Sequence, residues 1–413
     1  ASSAARLFVA RAASVDPTFA HDPSSPEIAE IVRRLDGLPL AVEIAAARSR
    51  TLSPAILLER LGDRLDATAG MRDVPDRQRT LRATLDWSHA LLPHEARRLL
   101  ARFGTFRGDV SLEAVEAVCD LDHEGHLLDV LDDLVAQSLV VRSRDAAGYP
   151  RFSLLETVRE YAVERLLESG EDEAVFAAHA AFVAELAARA GAGVRRTSEA
   201  AAWLDRVEEE IPDIRAVVER LLDEGATRAV VEILGHLQAY FLIRNQSHEG
   251  LEWIRRVLAD DVGLDPEQRC TALSIAALLG FVRGGLEDDA LAWANGAIEL
   301  DAGPSATGLA RGVAAVIQAG RGEMEAAEQL VEVASSGFES EGDTWGVLLA
   351  ESLRARIQTS AGRGYPLDTA QAHVALSRST SRFLEGVWLV FLGAAAIQTG
   401  RVDEARGHLD EAL

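Results

Sequence analysis

Five segments in the second half of the chain share one arrangement. They are HEGLEWIRRVLA from 248, EDDALAWANGAIEL from 287, MEAAEQLVEVA from 324, DTAQAHVAL from 368 and DEARGHLDEAL from 403. Each opens with acidic residues and has a small residue at the same early position: Gly250, Ala290, Ala327, Ala370 and Ala405, spaced 40, 37, 43 and 35 residues apart. Each follows another helical stretch that ends in a corner such as GFVRGG, IQAGRG or IQTGR. Small residues at a fixed phase let paired helices approach closely, and stacked pairs bury one continuous core. This recurrence confines residues 227–413 to an array of helix pairs with irregular spacing.

The preceding residues have a different grammar. Residues 2–13 and 27–35 predict two short helices joined by a loop with three prolines. Pro26 suits a helix start, Asp36-Gly37 suits a helix end with Gly37 left-handed, and Pro39 suits the first turn of a helix running to about Arg50. Ser53-Pro54 starts another helix, which makes residues 1–70 an all-helical unit. Helices then follow at Leu81–Leu91, His94–Phe103, Leu112–Val118 and 125–137. Two strands, Ser138–Arg144 and Arg151–Leu155, bracket the turn DAAGYP. Helices followed by such a hairpin predict a winged helix over residues 71–168, left through a helix at Glu156–Leu167. Residues 169–226 read as a helical linker, and the repeats of 227–413 as a tetratricopeptide-like α-superhelix. The fold class expected is mainly α.

Composition narrows the chemistry. All 42 basic residues are arginine, and no lysine occurs. A P-loop needs a lysine reaching the β- and γ-phosphates, so this chain cannot supply one, nor a Schiff-base lysine. No nucleophile elbow and no catalytic cysteine setting is present. In DLDHEGH (120–126), His123 and His126 stand three apart rather than four and have no evident third ligand, so no metal site is expected. Carboxylate pairs such as Asp132-Asp133 read as solvated helix faces. The chain itself is therefore not expected to be an enzyme.

Charge and cysteines add limits. Residues 1–110 carry 16 arginines against 14 acids, and residues 111–413 carry 26 against 52. Residues 120–133, leading into the hairpin, hold six acids and no arginine. A helix so charged would meet DNA phosphates with like charge, so DNA is not an expected partner of this region. The densest basic stretch, with Arg72, Arg77, Arg79 and Arg82, suits an anion or a facing domain and equally a solvated linker. Two cysteines cannot build a disulfide framework, which favours a cytoplasmic location. The apolar run at Trp388–Ile397 is too short for a membrane span.

Three separated motifs resemble the STAND class of signalling ATPases: RLDGLPLAVEIAAARSRTLSP, RQRTLRATLDWSHALL and FSLLETVREYAVERLLESGE, in that order. The nearest resemblance is to bacterial LuxR-type and antibiotic-regulatory-protein-type transcriptional regulators, over about residues 1–220. It implies that residues 1–70 are the helical lid of an NB-ARC-like module and that a P-loop domain precedes Ala1. The Gly-Leu-Pro corner would lie over a nucleotide base, which transfers to Gly37, Leu38 and Pro39. Where plant immune receptors carry Met-His-Asp, this chain has Leu154-Leu155-Glu156. Leu155 cannot donate to phosphate, which leaves Glu156 and Arg159 for the interdomain contact.

The function expected is the regulatory and sensor part of a nucleotide-switched transcriptional regulator. ADP or ATP would be held mainly by the absent P-loop domain, with no tight binding to this segment alone. The repeats would take a small-molecule or protein ligand. The competing expectation is a tetratricopeptide scaffold for protein partners that works without nucleotide.

Overall fold

Caps written into the sequence set the first helices of the computed structural model. Ser2 and Ser25 accept hydrogen bonds from Ala5 N and Ile28 N and start α1 (Ser3–Val15) and α2 (Pro26–Arg34). α3 (Pro39–Ala47) begins on its proline and ends in a 3-10 turn at Arg48–Arg50. α4 (Pro54–Ala67) and α5 (Asp76–Ala90) follow. The structure describes residues 2–67, 76–120, 126–145, 147–195, 199–244, 246–260, 263–398 and 400–412. They fall into two compact units, Ala1–Phe182 and Val183–Leu413. The protein is mainly α-helical.

In the first unit, Phe8, Ile28, Ile31, Leu35, Val42, Leu57 and Leu61 form the core among α1 to α4. α5 contributes Trp87 to that core, although its sequence neighbours lie in the winged helix. The same helix faces the other way through Arg82 and His89. The Arg82 guanidinium lies 5.4 Å from the ring centre of Tyr161, and His89 meets that ring edge-on at 5.6 Å. α5 is thus shared by both parts of the unit.

The winged helix comprises α6 (His94–Phe103), β1 (Val110–Ser111), α7 (Leu112–Cys119), α8 (Leu127–Ala136), β2 (Val141–Arg144), β3 (Pro150–Ser153) and α9 (Glu156–Ser169). The sheet has three strands in the order β1-β3-β2, both pairings antiparallel, with Val110 opposite Phe152 and Arg142 opposite Phe152 on the other side. β1 has only two residues and no alternation to reveal it, so the sequence predicts only the hairpin. Arg102 is buried on α6; it donates to Cys119 O at 2.8 Å and to Glu171 Oε2 at 2.9 Å. That hydrogen bond holds the Glu171 carboxyl below the ordinary carboxylate range.

α10 (Asp172–Val194) runs across the boundary between the units. It is the one described helix long and apolar enough to cross a membrane, and Val175, Phe176, Val183, Leu186, Ala187 and Ala190 on it are buried in the protein. From sequence the run at Trp388–Ile397 looks longer, because in α10 the apolar positions are dispersed among Glu173, Glu185 and Arg189.

The second unit continues with α11 (Ala200–Asp223), α12 (Thr227–His236) and α13 (Gln238–Arg244). Helix pairs then succeed one another: α14 (Ser247–Asp260), α15 (Pro266–Arg283), α16 (Glu287–Leu300), α17 (Pro304–Gly320), α18 (Met324–Ser340), α19 (Thr344–Ser360), α20 (Leu367–Thr380), α21 (Arg382–Gln398) and α22 (Val402–Ala412). Each odd-numbered helix from α15 to α21 packs on the helix after it, and α15, α17, α19 and α21 also touch in succession. These helices therefore form one layer of the array. The recurrent small residues lie where the pairs meet. Ala290, Ala327 and Ala370 are fully buried and Ala405 nearly so. A Cβ on Gly250 would come within 3.0 Å of Leu279 and 3.1 Å of Phe241. The corners inside the pairs turn on left-handed glycines such as Gly322 and Gly400, which a side chain would strain.

Two tests follow from this packing. Ala327→Leu is expected to lose about 1–3 kcal/mol to overpacking, whereas truncating the half-exposed Val333 to alanine should change stability by less than about 0.5 kcal/mol; urea unfolding followed by helicity measures both. Glu171, with its lowered pKa, adds stability above its unfolded value of about 4.3, and that stability is lost as pH falls through the folded value. Glu171→Gln should cost about 1–3 kcal/mol at neutral pH and flatten the pH dependence of unfolding in the acid range.

Candidate functional site

The corner between α2 and α3 is built by two consecutive left-handed residues, Asp36 at φ 51° and Gly37 at φ 64°. Gly37 N donates to Val32 O at 2.9 Å and Leu38 N to Leu35 O at 3.0 Å, which closes α2 before Pro39 opens α3. Asp36 tolerates this region better than most side-chain-bearing residues, and its carboxylate accepts from the Thr80 hydroxyl on α5 at 2.6 Å. Leu38 packs against the core among α1 to α4, while Pro39 is exposed. So the three predicted residues divide the work: Gly37 makes the turn, Leu38 anchors it, and Pro39 presents a rigid apolar ring to the outside.

Three arginines on α1 and at the end of α3 bind the rest of the unit. Arg11 on α1 donates from Nε to Ser138 Oγ at 2.8 Å and from one Nη to Ala136 O at 3.1 Å and Val135 O at 3.3 Å. The latter two are carbonyls at the end of α8, where a cation meets the negative end of the helix dipole. Arg50 pairs with Asp133 on α8 at 3.1 Å, with both side chains about half exposed. Arg48 is 7% exposed and donates to Ser88 O at 2.7 Å and Ser88 Oγ at 2.5 Å. Burial lowers its pKa to about 10, which leaves it charged at neutral pH. Sequence reasoning missed these contacts. Arg48 had one signal: it directly follows the buried run Ile44–Ala47.

α8 is the helix before the wing, the position that reads the major groove in DNA-binding relatives of this architecture. It bears Asp129, Asp132 and Asp133 and no cation, and its Leu128 is 54% exposed. Glu113, Glu116 and Asp120 line the groove between α7 and α8 together with Asp129. The wing differs, with exposed Arg142 and Arg144. Of the acids expected around this helix, Asp122 and Glu124 lie outside the described residues, as do His123 and Arg72. Arg82, the described member of the basic stretch, pairs with Glu164 on α9.

Glu156 and Arg159 stand in the first turn of α9 and pair with each other, Arg159 Nε donating to Glu156 Oε2 at 2.9 Å. Among the described residues no hydrogen bond or ion pair links either to the corner at Gly37–Pro39. Leu155 precedes them as the N-cap and is 45% exposed. Both cysteines are free and buried, and burial pushes the Cys119 thiol well up.

Comparison with known proteins gives this geometry a context. The model of the winged helix-turn-helix domain matches residues 92–167, which are α6 to α9. A protein of Mycobacterium tuberculosis strain H37Rv named "Putative HTH-type transcriptional regulator" is 38% identical over 285 residues, covering 67% of this chain and 32% of that protein. An uncharacterized protein of Mycobacterium bovis is 45% identical over 181 residues, covering 42% of this chain and 45% of that one. The chain thus spans a third to less than half of the length of these relatives. Among solved structures, the STAND protein with a tetratricopeptide repeat sensor from Pyrococcus horikoshii aligns over 99% of this chain and 71% of its own, at 13% identity and a TM-score of 0.35. BtubC from P. vanneervenii aligns over 48% and 87% at 17% identity and a TM-score of 0.39. Neither score is high enough to define a common fold. The winged helix-turn-helix domain is the class of module that both the fold and the family match define here.

These contacts predict an asymmetry between two arginines. Arg11→Ala, which removes donors to three oxygens on and just after α8, should cost about 1–3 kcal/mol. Arg50→Ala, which breaks an exposed pair, should cost less than about 1 kcal/mol. Thermal unfolding of both variants checks this, and equal losses would contradict the part assigned to Arg11.

Proposed function

We propose that this chain is the regulatory and sensor portion of a nucleotide-switched transcriptional regulator of the STAND class. The observation that carries the reading is the lid corner: Pro39 is exposed on a turn locked by two left-handed residues and by Asp36–Thr80. Such a ring packs on a purine face without needing charge. A P-loop domain elsewhere in the protein would hold the phosphates of ADP or ATP, since this chain has no lysine. Nucleotide would then close lid and winged helix on that domain, with Glu156 and Arg159 on the facing side. The repeats would bind the signal that releases them. In this reading the winged helix contacts protein rather than DNA, because the acids of α8 repel phosphate and the lid already binds the end of that helix. The chain contributes no catalytic group, and it works in the cytoplasm.

The experiment is ADP binding by the full-length protein with and without Pro39→Glu. The expected result is at least about a tenfold loss of affinity, or 1.4 kcal/mol; unchanged affinity removes the base contact. A gel shift with the 413-residue chain at low salt tests the other arm. No retarded duplex is expected, and a retarded band that Arg142→Gln with Arg144→Gln abolishes would reassign the wing to DNA.

A further inference from the structure

The outer edge of the wing has a use that nothing above assigns. β2 is paired on one side only, because the strand order is β1-β3-β2. Hydrogen-bonded and non-hydrogen-bonded pairs alternate along an antiparallel ladder. Asp145 N donates to Tyr149 O at 3.0 Å, so Ser143 and Arg151 form the next hydrogen-bonded pair of the register. Arg142 and Arg144, opposite Phe152 and Pro150, therefore turn their backbone N–H and C=O groups away from β3. Pro150 fits this phase, since it has no N–H to offer. Among the described residues, none of these two donors and two acceptors has a backbone partner. An unpaired strand edge of this kind is a template for a further strand.

The side chains decide what that strand can be. Residues 138–153 hold three arginines and one acid, within a stretch, 111–413, where acids outnumber arginines by 52 to 26. Arg142 and Arg144 are exposed and share one face of β2, while Val141, 39% exposed, lies on the other. Arg144 donates to Gly148 O at 2.9 Å inside the turn and has no carboxylate partner among the described residues. Arg142 stands 3.9 Å from Asp132 on α8, at the limit of an ion pair, and that carboxylate is 72% exposed. Both guanidiniums can thus take an incoming carboxylate. A second copy of the chain is the wrong occupant. Any hydrogen-bonded pairing of two β2 edges sets outward-turned residues opposite each other, and these are arginines on both strands, which repel. A DNA duplex fits poorly too. Its phosphates accept hydrogen bonds but cannot fill the C=O groups of the edge, and they would meet the acids of α8.

We infer that β2 docks an extended acidic segment of a protein partner by strand addition, with carboxylates at alternate positions opposite Arg142 and Arg144. Main-chain hydrogen bonds supply the affinity, and the two arginines set the register. An apolar residue next to the acids, on the opposite face of the added strand, covers Val141. The inference rests on the proposed reading that the winged helix contacts protein, and it gives that partner a chemistry.

The test is fluorescence anisotropy of a labelled peptide of repeated Glu-Thr-Glu-Val, titrated with the 413-residue chain. Saturable binding is expected. The Gln-Thr-Gln-Val counterpart should bind about three- to tenfold more weakly, and so should the chain carrying Arg142→Gln with Arg144→Gln. A peptide N-methylated at its glutamates keeps the charge but loses the donors that would face β2, and should lose at least about tenfold. Arg33→Gln, on α2 and paired with Glu30, should bind as the parent does. Residue-resolved hydrogen exchange should slow at the Arg142 and Arg144 amides on binding and stay unchanged at Ser143, which is already bonded to β3. The inference is overturned if the peptide does not bind saturably, or if the glutamine or N-methylated peptide binds equally well. It is equally overturned if the arginine variant binds as the parent does, or if exchange at Arg142 and Arg144 is unaltered. Failure of the peptide together with a retarded duplex would also remove the protein-contact reading of the winged helix. Failure without a retarded duplex would remove only the partner assigned to β2.

Discussion

Close approach between helices is the constraint on which most of this protein depends. Aromatics make up only 5% of the chain, so large rings cannot fill wide gaps between elements. The repeats instead draw their helices together, with Gly250 and four alanines at the contact positions. Each alanine buries little surface, and the array gains stability by adding such contacts along its length. The few large rings present are placed individually. Phe338 lies over glycines, and Trp87 reaches from α5 into the core among α1 to α4.

The exclusive use of arginine has a physical consequence in the first unit. Arg48 and Arg102 are almost fully buried. Arg48 bonds only a neutral serine, and Arg102 bonds a carbonyl and a carboxylate. A lysine in such a place sheds its proton readily, whereas a guanidinium stays charged and spreads its donors over several oxygens. Arg11 uses the same fork to reach three oxygens at the end of α8. Arg11 and Arg48 thus tie α1 and the end of α3 to the rest of the unit through neutral oxygens, while Arg50 does so through a carboxylate.

Much of the architecture was legible in the sequence, for local reasons. The serine caps, Pro26, Pro39 and Gly37 announce helix ends through backbone chemistry alone, and the phase of the small residues announces the repeats. β1 was not legible, because two residues have no period. The double allegiance of α5 was hidden too, since the burial of Trp87 is decided by α1 to α4 rather than by its own neighbours in sequence. The candidate corner at Gly37–Pro39 could be read as geometry, but its exposure could not. Glu156 and Arg159, opposite in charge and three apart on an expected helix, carry the sign of their pairing in the sequence. The contact of Arg195 with Trp345 is the least legible feature, because the two stand 150 residues apart and meet only through the stacking of the helices between them.

The seating of Phe338 also bears on how such an array can change through evolution. Repeat proteins commonly gain or lose whole units, because each unit touches only its neighbours and one junction resembles the next. Here the ring of one unit occupies room left by Gly308 on α17 and Gly346 on α19. A side chain at either glycine would meet the ring, at 2.3 Å from position 308 and 2.4 Å from position 346. The three helices from α17 to α19 thus have to keep one glycine–ring–glycine register for Phe338 to stay seated.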